Sequence, residues 1–468
     1  MILSGKNILA IICLAVGTSS TAQQPLTDEQ YFKGNFKGII QPMPFTSRWT
    51  DNTHFLLTRD GKAFVVDAKT GTETAATEED KKMGMVNAKP SPYSRKNDLY
   101  IKMTDVDEQL TFDSIPEINA LLSPDGNYVA YTKGNNLYTV DLKTKKETRL
   151  TSDGSDVILN GYASWLYTEE ILGRRSQYRS FWWSPDSKHL AFFRTDDSPV
   201  KPFTITDANT QHGYVETVRY PKVGDKNPEV QIGLVQPEGG KVVWADFNAK
   251  DDQYFGAPYW KPDGSSLLVQ WMNRKQDNLK IWEVNPANGS KKEFYNEQQK
   301  SWVDLDDEGG RITFLKNGKG FLLMSDASGW EHIYYYDMNG RLLNPVTAGK
   351  FTVTDINFTD EKNGIVYFSA RGKENTARKD LYRVNINGKN LQRLTFGDYN
   401  HAQVNMSPDG AYFITTYSNS LTPLRSTLVS NTGKIVKEIG DSRGPEFSNY
   451  QLAKTELIRV KSDDGLYD

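Results

Sequence analysis

Cysteine is nearly absent from this 468-residue chain, which holds a single one, Cys13, close to its start. A disulfide-stapled fold and a cysteine-ligated zinc site are therefore not expected. Histidine is scarce as well, with five residues at positions 54, 189, 212, 332 and 401. None of them stands in an H-E-x-x-H or related metal spacing, and no glycine-rich phosphate loop occurs, so no cofactor is expected. Beyond residue 22 no segment approaches the ~20 consecutive apolar residues of a membrane helix. Neither sign of charge is in excess: 56 Lys and Arg against 59 Asp and Glu leave a net charge of -3. That balance supplies no field for a polyanion, so nucleic acid is not expected as a partner.

What is present describes a globular chain: 37% hydrophobic, 12% aromatic and 25% charged residues. The length suits one very large domain or two to three ordinary ones. Residues 1–22 carry the pattern of a cleaved signal peptide. Lys6 supplies the positive start, Ile8 to Val16 the short apolar core, and Ser20-Thr21-Ala22 the small residues before Gln23. Cys13 follows Ile11-Ile12 rather than the small residue that lipoprotein processing wants, so no lipid anchor is expected. The mature chain is expected to be exported, periplasmic or secreted, with no membrane span after cleavage.

Along the mature chain one turn recurs. Leu122-Ser123-Pro124-Asp125-Gly126, Trp183-Ser184-Pro185-Asp186-Ser187, Trp260-Lys261-Pro262-Asp263-Gly264 and Met406-Ser407-Pro408-Asp409-Gly410 are its clearest copies. Proline sets φ for the second turn position, and Asp-Gly closes the turn with a side-chain hydrogen bond and a positive φ. Apolar strands follow, such as Tyr128-Val129-Ala130-Tyr131 and Leu190-Ala191-Phe192-Phe193, and then a second alternating strand. Weaker copies begin near Arg48, Pro90, Phe314 and Phe358. About eight units of three to four strands predict an all-β fold, a β-propeller of about eight blades over residues 23–460. Leu26 to Phe32 adds a capping-box-like start for one or two helical turns.

The intervals from Ser123 to Ser184 and from Ser184 to Lys261 are longer than the others. Insertions between blades fall on loops, where binding groups are commonly mounted. The first interval holds Trp165-Leu166-Tyr167-Thr168-Glu169-Glu170, expected on a loop before a strand. Two adjacent carboxylates can accept charge-assisted hydrogen bonds from one cationic group. On its own, such a pair is most often just solvated surface.

Context sharpens the reading. The segment 165–170 with Phe181-Trp182-Trp183-Ser184-Pro185 resembles the W-V-Y-E-E-E and W-W-S-P segments of the dipeptidyl peptidase IV family. Arg219-Tyr220-Pro221-Lys222-Val223-Gly224-Asp225-Lys226-Asn227-Pro228 is similar to its R-Y-P-K-A-G-x-x-N-P. Phe193-Arg194-Thr195-Asp196-Asp197 resembles F-R-x-D-E, and Ser328 to Tyr334 resembles S-G-x-x-H-I-Y. The resemblance implies that Glu169 and Glu170 bind the free α-ammonium of a peptide substrate, with Thr168 at the family's first acidic position. Trp165, Tyr167 and Arg219 are the candidate supporting residues. A packed structural connection is the favoured role for Arg219, with its guanidinium paired to a carboxylate. Arg95 lies near the place of the family's substrate-binding arginine, but its surroundings do not match and the role is not carried over.

The family's hydrolase domain presents a G-W-S-x-G-G nucleophile elbow, then Asp and His. No G-x-S-x-G elbow is expected here, so no catalytic residue is assigned, and His332 is read as structural. Residues 461–468 resemble the junction into the hydrolase domain, which makes a missing α/β-hydrolase domain the implied partner. The expected function is the substrate-gating propeller of an exported serine exopeptidase releasing X-Pro or X-Ala dipeptides, inactive by itself. A homodimer is among the assemblies this reading allows. A non-catalytic peptide- or protein-binding propeller is the alternative, and a purely structural module a third; tripeptidyl release ranks lower.

Overall fold

The computed structural model describes residues 23–83, 90–103, 106–305, 311–453, 455–456 and 458–465. The expected signal peptide lies outside them, as do the last three residues of the expected junction. Eight antiparallel sheets follow one another in chain order, over residues 45–75, 91–109, 117–149, 158–244, 253–298, 312–345, 352–393 and 400–441. Each is a small meander with its strands nearly in sequence order, and a separate two-stranded hairpin, Pro202–Asp207 with Tyr214–Arg219, projects from the fourth. This is the propeller that the repeating turns predict.

No blade of this size can bury its own apolar faces, so the faces are buried against the next blade. Leu137 and Leu150 of the third blade pack with Phe181, Leu190 and Phe192 of the fourth. Leu268, Ile281 and Phe294 of the fifth pack with Phe321 and Leu323 of the sixth. The ring closes the same way, with Phe55, Leu57 and Val66 of the first blade against Ile414, Leu428 and Ile439 of the eighth. Lys437 Nζ adds a hydrogen bond to the Gly71 carbonyl across that closure at 2.7 Å.

The recurrent turn is held by its serine. The Ser123 hydroxyl donates to Asp125 at 2.6 Å and accepts from the Tyr128 amide at 2.9 Å, and Ser184 and Ser407 repeat the arrangement. Gly126, Gly264 and Gly410 take the positive φ; in the second copy Ser187 takes it, with φ 61°. That serine has its own use, since its hydroxyl accepts from the Asp125 amide of the preceding blade at 3.0 Å. The tryptophans before two of these turns also reach back one blade. Trp183 Nε1 donates to the Leu121 carbonyl at 3.2 Å and Trp260 Nε1 to the Trp182 carbonyl at 3.3 Å.

His332 and His401 are buried at strand starts in matching settings. Each ring lies 3.1 Å from a threonine hydroxyl through Nδ1 and faces a backbone carbonyl through Nε2. Burial pulls both imidazoles below their ordinary pKa, so they stay neutral and structural. The short N-terminal helix Asp28–Lys33 forms with the expected capping box of Thr27 and Gln30.

Phe55 is completely buried at the ring closure. Phe55→Ala is expected to lower unfolding free energy by about 3–5 kcal/mol in a urea titration, whereas Lys69→Ala on the exposed surface shifts it by less than about 0.5 kcal/mol. An unchanged midpoint for Phe55→Ala would contradict closure through this cluster.

Candidate functional site

The acidic pair stands in a gap in a strand. Ile158–Asn160 and Phe181–Trp183 both pair with Leu190–Asp196, as two halves of one edge strand of the fourth blade. Residues 161–180 loop out between them. At the neck, the Gly161 amide donates to the Phe193 carbonyl at 2.9 Å and the Phe193 amide to the Ser180 carbonyl at 2.9 Å. Two residues thus oppose one, the pattern of a β-bulge, which re-aims chain and side chains at a sheet edge. Gly161 leaves the strand with φ 68°, and a side chain there would meet Leu137 at 3.1 Å. Stacked rings of Tyr162 and Tyr178, 5.1 Å apart, hold the neck together.

Where a loop is expected, the chain instead makes a π-helical turn, Tyr167–Ile171. Its closing bond runs from the Leu172 amide to the Tyr167 carbonyl at 2.7 Å. The physical reason is burial on one side. Tyr167, Thr168 and Ile171 are buried, so of the two acids Glu170 is left exposed and Glu169 partly buried at the edge. Wide turns of this kind recur at functional sites. The Tyr167 ring is 1% exposed, meets Phe193 edge-on at 6.0 Å, and its hydroxyl accepts from the Phe255 amide of the fifth blade at 3.3 Å. Burial pushes its phenol above the ordinary range. Thr168, at the position of the family's first acid, turns inward and is 2% exposed.

Glu169 is partly buried and accepts from Arg174 Nε, while Glu170 is exposed. Trp165 meets the Tyr220 ring edge-on at 4.7 Å, joining the loop to the root of the projecting hairpin. Arg219 donates to the Val200 carbonyl at 2.5 Å, within that root. Its positive charge acts on Asp197, a carboxylate 6% exposed whose Oδ1 has no hydrogen-bond partner. Burial pushes the Asp197 carboxyl up to about 7; Arg219 pulls it down and Asp196 pushes it further up. Arg95 stacks over Tyr100 at 4.0 Å within its own blade. The structure therefore brings Trp165, Tyr167, Glu169 and Glu170 together on one loop. It places Arg219 at the neighbouring hairpin.

Asp113, Glu117 and Glu147 form the one cluster of metal-type ligands among the described residues. Lys133 already occupies its centre, 2.7 Å from Asp113 and 3.1 Å from Glu117 and also bonded to Glu147, so it does not fit a cation. The expectation that no G-x-S-x-G string occurs is corrected by Gly440-Asp441-Ser442-Arg443-Gly444. It is not a nucleophile elbow. The Ser442 amide donates to the Leu424 carbonyl at 2.9 Å just past the strand Ile435–Asp441. A side chain on Gly444 would fall 2.2 Å from the Gly38 carbonyl, so that glycine serves close chain approach.

A family model for the dipeptidyl peptidase IV (DPP IV) N-terminal region matches residues 94–424. The chain belongs to this family. Dipeptidyl peptidase 4 of Arthroderma otae is 29% identical over 359 residues, covering 73% of this chain and 45% of that protein. The enzyme of that name from Trichophyton rubrum is 28% identical over 357 residues, with the same two coverages of 73% and 45%. This member of the DPP IV N-terminal family thus spans about half the length of the curated relatives it matches. Its fold is shared with the crystal structure of Porphyromonas gingivalis dipeptidyl peptidase 4, with a TM-score of 0.74 at 22% identity, over 96% of this chain and 66% of that one.

Asp197 makes the site's support pH-sensitive. Folded, it holds its proton to about pH 7, against an ordinary value of 3.8. In that window the folded chain binds more protons than the unfolded one, so stability falls as pH rises through it. Asp197→Asn is expected to flatten this fall and to raise stability above pH 7 by on the order of 3 to 4 kcal/mol. Urea titrations at pH 5 and pH 8 check it; an unaltered pH dependence would contradict the assignment.

Proposed function

We propose that this chain is the substrate-gating propeller of an exported, dipeptidyl peptidase IV-like serine exopeptidase. Glu169 and Glu170 anchor the α-ammonium of a peptide with a free N terminus. The observation that carries the reading is the adjacent carboxylate pair, Glu170 exposed and Glu169 partly buried beside Arg174, on a turn whose other side is locked into the core. An ammonium offers three donors, and each bond to a carboxylate is charge-assisted and stronger than a neutral one. With an α-amino pKa near ~7.7–8.0 the peptide end is largely cationic at neutral pH.

An anchor of this kind acts as a ruler. A serine nucleophile held at a fixed distance by an α/β-hydrolase domain would meet one peptide bond only, two residues from the end. Blocked and internal sequences would be refused. Release of dipeptides is in keeping with the names of the relatives, and X-Pro and X-Ala is the specificity we assign. The 468-residue chain by itself is expected to bind such peptides and not to cut them.

Calorimetric titration of the chain with Ala-Pro-Phe and with its N-acetylated form tests the anchor. The free peptide is expected to bind at least about tenfold more tightly. Glu169→Gln and Glu170→Gln are each expected to remove most of that difference with unchanged thermal unfolding. Equal binding of the blocked peptide, or hydrolysis by the chain alone, would refute the reading.

A further inference from the structure

A cavity of about 600 Å³ opens beside the acidic turn. It lies where two edge strands are interrupted together. Arg174, Arg175, Arg179 and Trp182 wall it from the gap in the fourth blade, and Ala257 and Pro258 from a gap in the fifth. In that fifth blade, Gln253–Phe255 and Tyr259–Trp260 are again two halves paired with one strand. Three arginines line the cavity and no acidic residue does, among the described residues.

The arginines are not equivalent. Arg174 belongs to the site already described through its bond to Glu169, and it is 82% exposed. An exposed pair of this kind contributes little stability and is readily exchanged. Arg179 is half-buried next to the packed loop neck. Burial pulls its guanidinium below the usual range, and no charged neighbour among the described residues offsets that. A guanidinium stripped of water and left without an anion is costly, and its planar fork matches a carboxylate. The half-buried indole of Trp182 gives the cavity an apolar wall on which a short aliphatic stem can lie.

We infer that this cavity receives the acidic side chain of the peptide's first residue, so that Asp or Glu at the N terminus is preferred. The inference rests on the amine-anchoring reading above. Binding exchanges ion pairs. The incoming ammonium takes Arg174's place at Glu169, and the incoming carboxylate pairs with Arg179. One weak surface pair is replaced by two pairs partly shielded from water. A lysine at the same position would meet the positive charges of Arg174 and Arg179 and is disfavoured.

The test is calorimetric binding of Glu-Pro-Phe, Gln-Pro-Phe, Lys-Pro-Phe and N-acetyl-Glu-Pro-Phe to the 468-residue chain. Glu-Pro-Phe is expected to bind about tenfold more tightly than Gln-Pro-Phe, the weight of one charge-assisted bond, with Lys-Pro-Phe weaker still. Arg179→Gln is expected to bring the Glu-to-Gln ratio to about one while Gln-Pro-Phe binds as before, which a misfolded variant would not do. Arg179→Lys, keeping the charge without the fork, is expected to retain part of the ratio. Equal binding of the Glu and Gln peptides, or a ratio that survives Arg179→Gln, overturns the inference. Acetylation that leaves Glu-Pro-Phe binding unchanged overturns the amine anchor instead, so the two failures are distinct.

Discussion

The phenol of Tyr167, buried between the fourth and fifth blades and bonded by the backbone amide of Phe255, fixes what the loop 161–180 shows to solvent. A loop of this length emerging from a split strand has many conformations open to it. Anchoring one large ring in a core shared by two blades removes most of them. Tyr167, Thr168 and Ile171 turn inward together, which leaves Glu170 exposed and Glu169 at the partly buried edge. Their placement is inherited from packing, which a propeller can supply because each blade is rigid only through its neighbours.

Charge is arranged around that anchor in layers. Outward lie the acidic pair and its arginine neighbours; beneath lies Asp197, buried, with one oxygen unpartnered and only Arg219 to moderate it. Placing an ionisable group so poorly compensated next to the loop 161–180 costs stability, and such groups gather at functional sites more than elsewhere. The cluster around Lys133 is the opposite case. Three carboxylates gather round one ammonium between strands of the third blade and its flank, and the result is a structural knot with no room for a ligand.

The blades were legible because their turns are local. Ser-Pro-Asp-Gly encodes its own hydrogen bonds within six residues, and the buried strands after Gly126, Ser187, Gly264 and Gly410 follow in register. The acidic pair was legible through Trp165, Tyr167 and the residues around them. The split edge strand was not. Ile158–Asn160 and Phe181–Trp183 are three-residue pieces whose kinship appears only when both pair with Leu190–Asp196. The π-helical turn escaped for a related reason, since Tyr167 and Ile171 are buried in a core shared with the fifth blade. Arg179 carried no signal at all, because lacking an anion is a property of surroundings and not of sequence. The string Gly440 to Gly444 misleads in the other direction: its spacing fits a nucleophile elbow, yet the glycines are there for close packing at the ring closure.

The claim that everything else depends on is that a peptide's α-ammonium sits between Glu169 and Glu170. The most direct measurement is the pKa of that amine, followed by NMR on an isotope-labelled Ala-Pro-Phe, free and bound to the chain. Two carboxylates at hydrogen-bond distance favour the charged form, so the bound amine should titrate about one to three units above the free one. A bound peptide whose amine titrates at its free value would place the terminus elsewhere and contradict the anchor.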